Sequence, residues 1–169
     1  MTRRINAADA SGQLDRILSF FGRAESKATA LFAVNLGMLG LSAINTSWDA
    51  LADSIVIIEG LGMLGLLGIS FWFEYWALFP ELRPKSSSSL VYFGAISRRD
   101  CEEYVRRMTE ISEEEYVKEI LEHVWRNSDI VSKKFAYVKY AFWATAAALP
   151  LWLVYLITVA ALNAQLIIG

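Results

Sequence analysis

The sequence predicts an all-α membrane protein with three transmembrane helices and a small helical cytoplasmic region, in which the third span is continuous with a long cytoplasmic helix. Three observations predict this class. Of the 169 residues, 55% are hydrophobic, which is more than one globular core of that size buries. The apolar residues are concentrated in three segments, each long enough to cross a bilayer. All sixteen Lys and Arg residues lie before the first segment or between the second and the third.

Residues 1–27 are predicted to form a cytoplasmic amphipathic helix. Their apolar side chains recur at helical spacing while the charged ones take other faces, which is typical of an interfacial anchor, with a regulatory lever as the alternative. These apolar residues are Leu14, Ile17, Leu18 and Phe21. The first span follows over residues 28–48, a run of 21 residues without a charge that would measure roughly 32 Å as a helix.

The second span is predicted over residues 54–80, a segment rich in Leu, Ile and Gly that contains Glu59 and Glu74. The third span is predicted over residues 140–162, which carry no charge. A proline inside a helix removes one backbone hydrogen bond, so we expect a kink at Pro150.

The basic residues predict the orientation of the three spans. No Lys or Arg lies in the connection between the first two spans or in the tail of residues 163–169. An excess of basic residues on one side marks the cytoplasmic face of a membrane protein. We therefore expect the N-terminus and residues 81–139 in the cytoplasm and the C-terminus on the other side.

The cytoplasmic region begins with a predicted break. Pro80, Pro84 and the serines at 86–89 favour a loop, and residues 90–94 are predicted as a short extended apolar stretch that is not part of a sheet. The remainder of the region is predicted to be helical.

Two helix starts are predicted in this region. Ser97 followed by Asp100 opens a charged helix, and Ser112 followed by Glu115 forms a capping box. The second helix carries a heptad stripe that runs into the third span through Val117, Leu121, Val124, Ser128, Val131, Phe135, Val138 and Phe142. This stripe either packs on another helix of the chain or is a seam for self-association.

Four polar residues are predicted inside the membrane. An ionisable side chain costs roughly 2.5 to 3.5 kcal/mol there and therefore faces protein or water. Glu59 and Glu74 are fifteen positions apart, about 60° around a helix, so both belong to one inward face. Asn35, Glu74 and Thr145 are each about 9 to 12 Å from the cytoplasmic edge, a depth at which they can hydrogen-bond across a bundle. The four residues form either a structural clamp or a gate that lines a pore.

The sequence shows no catalytic pattern. Its single histidine, His123, and single cysteine, Cys101, exclude a histidine metal cluster, an intramolecular disulfide and a cysteine-rich zinc site. It has neither a Gly-rich phosphate loop with a lysine nor a Gly-x-Ser-x-Gly elbow. We therefore expect that the protein is not an enzyme and that it uses neither a cofactor nor a metal. Its net charge of −2 argues against a nucleic acid polymer as a partner.

The cytoplasmic region contains the residues that we expect to bind a soluble ligand. Arginines pair with phosphate and aromatic rings stack on bases, although arginines beside a membrane also bind anionic lipid headgroups. The candidate residues are Tyr92, Phe93, Arg98, Arg99, Arg106 and Arg107.

Four short motifs, in their order around the three spans, carry a resemblance to a known family. They are residues 24–31 (AESKATAL) followed by Asn35, residues 91–96 (VYFGAI), residues 102–104 (EEY) and residues 133–137 (KKFAY). Over about residues 14–153 the chain resembles the small transmembrane effectors of Pycsar, the pyrimidine cyclase anti-phage defence system of bacteria.

The resemblance implies a role in abortive infection. A neighbouring cyclase would make a cyclic pyrimidine mononucleotide, cCMP or cUMP, and the effector would respond by disrupting the bacterial inner membrane, with its C-terminal tail in the periplasm. The implied partners are this nucleotide, the lipid bilayer and further copies of the chain in a homo-oligomer. Since the cytoplasmic region is short, we expect the nucleotide to bind between neighbouring protomers. The alternatives are a non-enzymatic membrane scaffold or assembly protein and a small proton-coupled transporter subunit.

Overall fold

The computed structural model describes residues 5–79 and 89–168, which form five α-helices and one short 3-10 turn. The elements are α1 (Ala7–Asn45), the turn (Ala50–Ala52), α2 (Ser54–Leu78), α3 (Phe93–Ile96), α4 (Cys101–Glu110) and α5 (Glu113–Ile168). The described residues include no β-strand, and α1, α2 and α5 are each long and apolar enough to cross a membrane. The predicted all-α class, with a third span that continues a long helix, is confirmed.

Side-chain caps account for where three of the helices begin. The side chain of Asn6 accepts a hydrogen bond of 2.7 Å from the backbone N–H three residues later, at the start of α1. Asp53 and Asp100 each accept one from the N–H two residues later, at 2.7 Å before α2 and 2.9 Å before α4. These bonds satisfy donors that have no partner inside the helix. The predicted charged helix is present, but it starts after Asp100 and not at Ser97, which is the C-cap of α3.

Residues 90–94 differ from the predicted extended stretch because Phe93 and Gly94 belong to helix α3. Ser89 explains the difference. Its Oγ accepts hydrogen bonds from the backbone N–H groups of Val91 at 3.2 Å and Tyr92 at 3.0 Å, which turns the chain into the helix. The rest of the predicted break, from residue 80 to residue 88, lies outside the described residues.

Helix α5 begins where the capping box predicts. Ser112 Oγ accepts from the backbone N–H of Glu115 at 3.3 Å and donates to its carboxylate at 3.1 Å. The helix then continues through Pro150 to Ile168, so the proline does not end it.

The chain divides into two compact units. Unit 1 comprises residues 1–23 and 80–133, and unit 2 comprises residues 24–79 and 134–169. Unit 1 has a small apolar core in which Ala10 of α1 packs against Val117 and Ile120 of α5.

Unit 2 is a bundle of α1, α2 and α5 whose buried side chains form layers with a contribution from each helix. One layer consists of Ala28, Ala77 and Val138. A second layer consists of Met38, Met63, Leu67 and Ala148. Small side chains let the helices approach closely, which is how membrane helices gain packing energy without a hydrophobic driving force.

The buried stripe of α5 coincides with the predicted heptad only in part. Val117, Val131 and Val138 are buried as the heptad requires. At the intervening positions the structure buries Ile120, Lys134 and Ala141 in place of Leu121, Phe135 and Phe142. Within the chain, close helix packing favours Ala141 over the larger Phe142, and an ion pair holds Lys134. The alternative of a self-association seam stays a prediction.

Candidate functional site

A polar layer crosses the bundle of unit 2 and contains Asn35 of α1, Ser70 and Glu74 of α2, and Thr145 of α5. Asn35 Nδ2 donates to Glu74 Oε1 at 2.8 Å and to Ser70 Oγ at 2.9 Å, and Thr145 Oγ1 donates to Asn35 Oδ1 at 3.0 Å. Ser70 Oγ also lies 2.9 Å from Thr145 Oγ1. All four side chains are buried. The layer therefore hydrogen-bonds all three helices to one another.

Three members of the polar layer are residues that the sequence analysis placed at one depth: Asn35, Glu74 and Thr145. Ser70 was missed because a serine in an apolar segment resembles the small residues around it, although it lies one helical turn before Glu74. Glu74 is 1% exposed, and its second oxygen, Oε2, accepts no hydrogen bond from any residue that the structure describes. Leaving a buried acceptor unsatisfied costs about 1 to 3 kcal/mol.

Glu59, the fourth predicted residue, does not join the polar layer. Thr158 Oγ1 donates to Glu59 Oε1 at 3.3 Å, and Glu59 Oε2 is also buried without a donor among the described residues. The bundle therefore holds two separate acidic sites along α2.

Further polar contacts connect α1 to α5 in unit 2. The indole N–H of Trp152 donates to the carbonyl of Met38 at 3.0 Å and to Ser42 Oγ at 3.1 Å. The hydroxyls of Thr46 and Tyr155 are 2.6 Å apart. The regular spacing of Asn35, Ser42 and Thr46 along α1 is the feature of the sequence from which these contacts were predictable.

An ion pair with one buried member also joins α1 to α5. Lys134 is 1% exposed and its Nζ donates to Glu25 Oε1 at 2.8 Å. The preceding Lys133 pairs with Asp129 at 2.7 Å, but both of those side chains are more than half exposed. Water screens the charges of the exposed pair, so their attraction is weaker than the attraction between Glu25 and the buried Lys134.

Unit 1 contains a cavity of about 960 Å³, termed here the aromatic cavity, that runs along α5. The rings of Tyr92 and His123 lie nearly parallel in its lining, with centroids 6.1 Å apart and planes 13° apart. The guanidinium carbon of Arg126 is 5.6 Å from the centroid of the Tyr92 ring. Ser89 Oγ lies 2.8 Å from His123 Nε2 and fixes the orientation of the imidazole.

Burial is the main influence on the pKa of His123. Burial lowers the pKa of His123, and Arg126 lowers it further, while Glu119 and Glu122 act in the opposite direction. The imidazole is therefore neutral near pH 7, with one nitrogen as a donor and the other as an acceptor. Glu119 also accepts a short hydrogen bond from the backbone N–H of Leu90, which attaches the chain before α3 to α5.

The structure separates the predicted ligand residues. Tyr92 lines the aromatic cavity. Phe93 contacts the Tyr92 ring at a centroid distance of 4.8 Å but is 69% exposed. The lining of the cavity includes none of the four predicted arginines, Arg98, Arg99, Arg106 and Arg107.

All but one of the lining residues that sequence reasoning missed lie on α5. They are Lys118, Glu119, Glu122, His123, Trp125 and Arg126, together with Ser89. Their spacing of three and four was the available signal, but His123 was considered only as a metal ligand. Among the described residues, no group of three or more His, Cys, Asp and Glu side chains is arranged to hold a metal ion.

Comparison with known proteins agrees with this architecture. The model of the Pycsar effector protein domain matches residues 9–161, about nine-tenths of the chain. No curated protein and no solved structure matches it. The domain supports the role of an anti-phage defence effector, and it is not a known enzyme family. On the extent of this match, the chain belongs to the family of Pycsar effector proteins.

Proposed function

We propose that this effector responds to a cyclic pyrimidine mononucleotide, cCMP or cUMP, by disrupting the bacterial inner membrane and causing abortive infection. The observation that carries the proposal is the aromatic cavity of unit 1, which lies along α5. The same helix supplies Thr145 to the polar layer of unit 2. A ligand that acts on α5 therefore acts on an element that both units contain.

The lining of the aromatic cavity suits a nucleotide. Its volume of about 960 Å³ lies in the range typical of small-molecule sites. Tyr92 offers a ring on which a pyrimidine can stack, and Lys118 and Arg126 offer cations for a cyclic phosphate. We therefore propose Tyr92, His123 and Arg126 as ligand-contacting residues, in place of the arginines of α4 and the segment before it. The cavity belongs to one chain, so the ligand need not bind between protomers.

The response requires two states of the bundle with different affinities for the ligand. Shifting a population from 1:99 to 99:1 takes about 5.5 kcal/mol of differential binding, which several protomers of a homo-oligomer share. The polar layer is the element that we propose to rearrange. Glu74 Oε2 has no donor among the described residues, so a state that supplies water or another donor to this oxygen gains a hydrogen bond.

The orientation of the effector follows from its charges. The basic residues flank the spans on one side only, which supports a cytoplasmic N-terminus and a cytoplasmic region at residues 81–139. In this orientation unit 1 is exposed to the cytoplasm, where a cyclase releases its product.

The proposal is tested by leakage from dye-loaded liposomes that contain the purified protein. We expect cCMP or cUMP to cause leakage and Tyr92→Ala to reduce the apparent affinity at least tenfold, because it removes the stacking surface. Tyr104→Ala on α4 is the matched control, since it removes the same type of side chain outside the lining of the aromatic cavity. Absence of leakage with any cyclic nucleotide would exclude the ligand-gated reading. Equal loss in both variants would exclude the aromatic cavity as the binding site.

Glu74→Gln distinguishes this function from its alternatives. For a gate, the variant changes the nucleotide dependence of leakage. For a scaffold, the variant retains its partner and shows no change in ion flux. For a transporter subunit, the wild-type protein shows proton-coupled uptake without toxicity and the variant loses it.

A further inference from the structure

A groove of about 460 Å³ lies between α1 and α5 on the surface of unit 2. On each helix its lining residues are spaced by three, four and seven positions, which is one helix face. Ala30 and Val34 of α1 face Phe142 of α5 across it, and all three are exposed.

The groove has two lysines at one level. Ala28 packs with Val138 in a single cluster, and Lys27 and Lys139 are the residues adjacent to these two. Lys27 Nζ also lies 5.4 Å from the centroid of the Phe135 ring. Both lysines are exposed, and each is the last charged residue before an uncharged segment, at 28–48 and 140–168. This position is the interface of a bilayer rather than its interior.

The two lysines differ from the other lysines of this part of α5. Lys133 pairs with Asp129, and Lys134 pairs with Glu25. Within the part of the chain that the structure describes, Lys27 and Lys139 have no carboxylate partner. The groove therefore combines two uncompensated positive charges at one end with an apolar wall along the rest.

We infer that this groove binds a phospholipid with an anionic headgroup, whose phosphate lies between Lys27 and Lys139 and whose acyl chain lies along Ala30, Val34 and Phe142. A basic site between transmembrane helices on the cytoplasmic side suits such headgroups. A free phosphate would use only the lysines, and a neutral lipid would use only the apolar wall. The bound lipid contacts α1 and α5, the helices that contribute Asn35 and Thr145 to the polar layer.

The test measures lipid binding to the delipidated full-length protein in detergent by native mass spectrometry, without nucleotide. Phosphatidylglycerol is compared with phosphatidylcholine at equal concentration. Each lysine near an anionic lipid contributes about fivefold in affinity, so we expect about 30-fold weaker phosphatidylglycerol binding in Lys27→Gln/Lys139→Gln. Lys133→Gln, which removes one positive charge of the same kind outside the groove, is expected to bind as the wild type does.

Ala30→Phe provides a second, independent variant, because it fills the groove and leaves both lysines in place. We expect it to weaken phosphatidylglycerol binding at least fivefold. Equal binding of the two lipids, equal loss in Lys133→Gln and the double variant, or unchanged binding in Ala30→Phe would each overturn the inference. Displacement of the lipid by inorganic phosphate alone would also overturn it, since the acyl chain would then contribute nothing.

Discussion

Asn35 is the residue whose replacement tests the polar layer most directly. It donates to Glu74 and Ser70 and accepts from Thr145, so Asn35→Leu removes three hydrogen bonds while keeping a side chain of similar size. Side-chain hydrogen bonds between membrane helices contribute about 0.6 kcal/mol each on average. We therefore expect a loss of about 2 kcal/mol in the free energy of unfolding, roughly 30-fold in the equilibrium constant.

The assay is unfolding of the full chain by dodecyl sulfate in mixed micelles, followed by tryptophan fluorescence. The matched control is Asn45→Leu on the same helix. Asn45 Nδ2 donates only to the carbonyl of Leu41 one turn earlier, so its loss leaves the contacts between helices intact. We expect a change below about 0.5 kcal/mol for the control. Equal stability of the two variants would refute the conclusion that the polar layer holds the bundle together.

Three further predictions concern other parts of the chain. Glu25→Gln replaces the charged acceptor of the buried Lys134 with a neutral one and should cost about 1 kcal/mol in the same unfolding assay; unchanged stability would contradict it. Because burial lowers the pKa of His123, the folded state binds this proton more weakly than the unfolded chain, and the stability of unit 1 should fall as the pH drops below the ordinary value of 6.5. Hydrogen exchange between about pH 7.5 and 5.5 measures this loss of stability, and His123→Gln should reduce its dependence on pH. A pH dependence that persists in the variant would show that other groups cause it. Ser112→Ala should cost about 1 kcal/mol and speed exchange in the first turn of α5, whereas Ser128→Ala, which loses only a bond within its own helix, should not.

Local features were predictable because they depend on a few neighbouring residues. The Ser112 helix start requires only Ser112 and Glu115, and the structure has both bonds. The common depth of Asn35, Glu74 and Thr145 followed from counting along helices. Which residues of the heptad stripe are buried did not follow from such counting, because the spacing along one helix does not specify which side chains of the other helices surround it. There the structure buries Lys134, since the carboxylate it requires lies on another helix.

The aromatic cavity shows the same limit for a binding site. Its rings come from Tyr92, in the chain before α3, and His123, on α5, which are thirty-one positions apart in the sequence. A search for local motifs selected the arginines near Tyr92, because phosphate recognition is commonly associated with clustered basic residues. The structure places Arg126 beside Tyr92 instead.

The sequence alone determined the class of this protein, its three spans, the distribution of its charges and its family resemblance. These depend on composition and on short patterns, because hydrophobicity and charge act on each segment separately. Only the tertiary structure decided which residues form the polar layer, that Glu59 lies outside it, and which side chains line the cavity of unit 1 and the groove of unit 2. Those features depend on the register between helices distant in sequence, which packing and hydrogen bonding determine once the whole chain has folded.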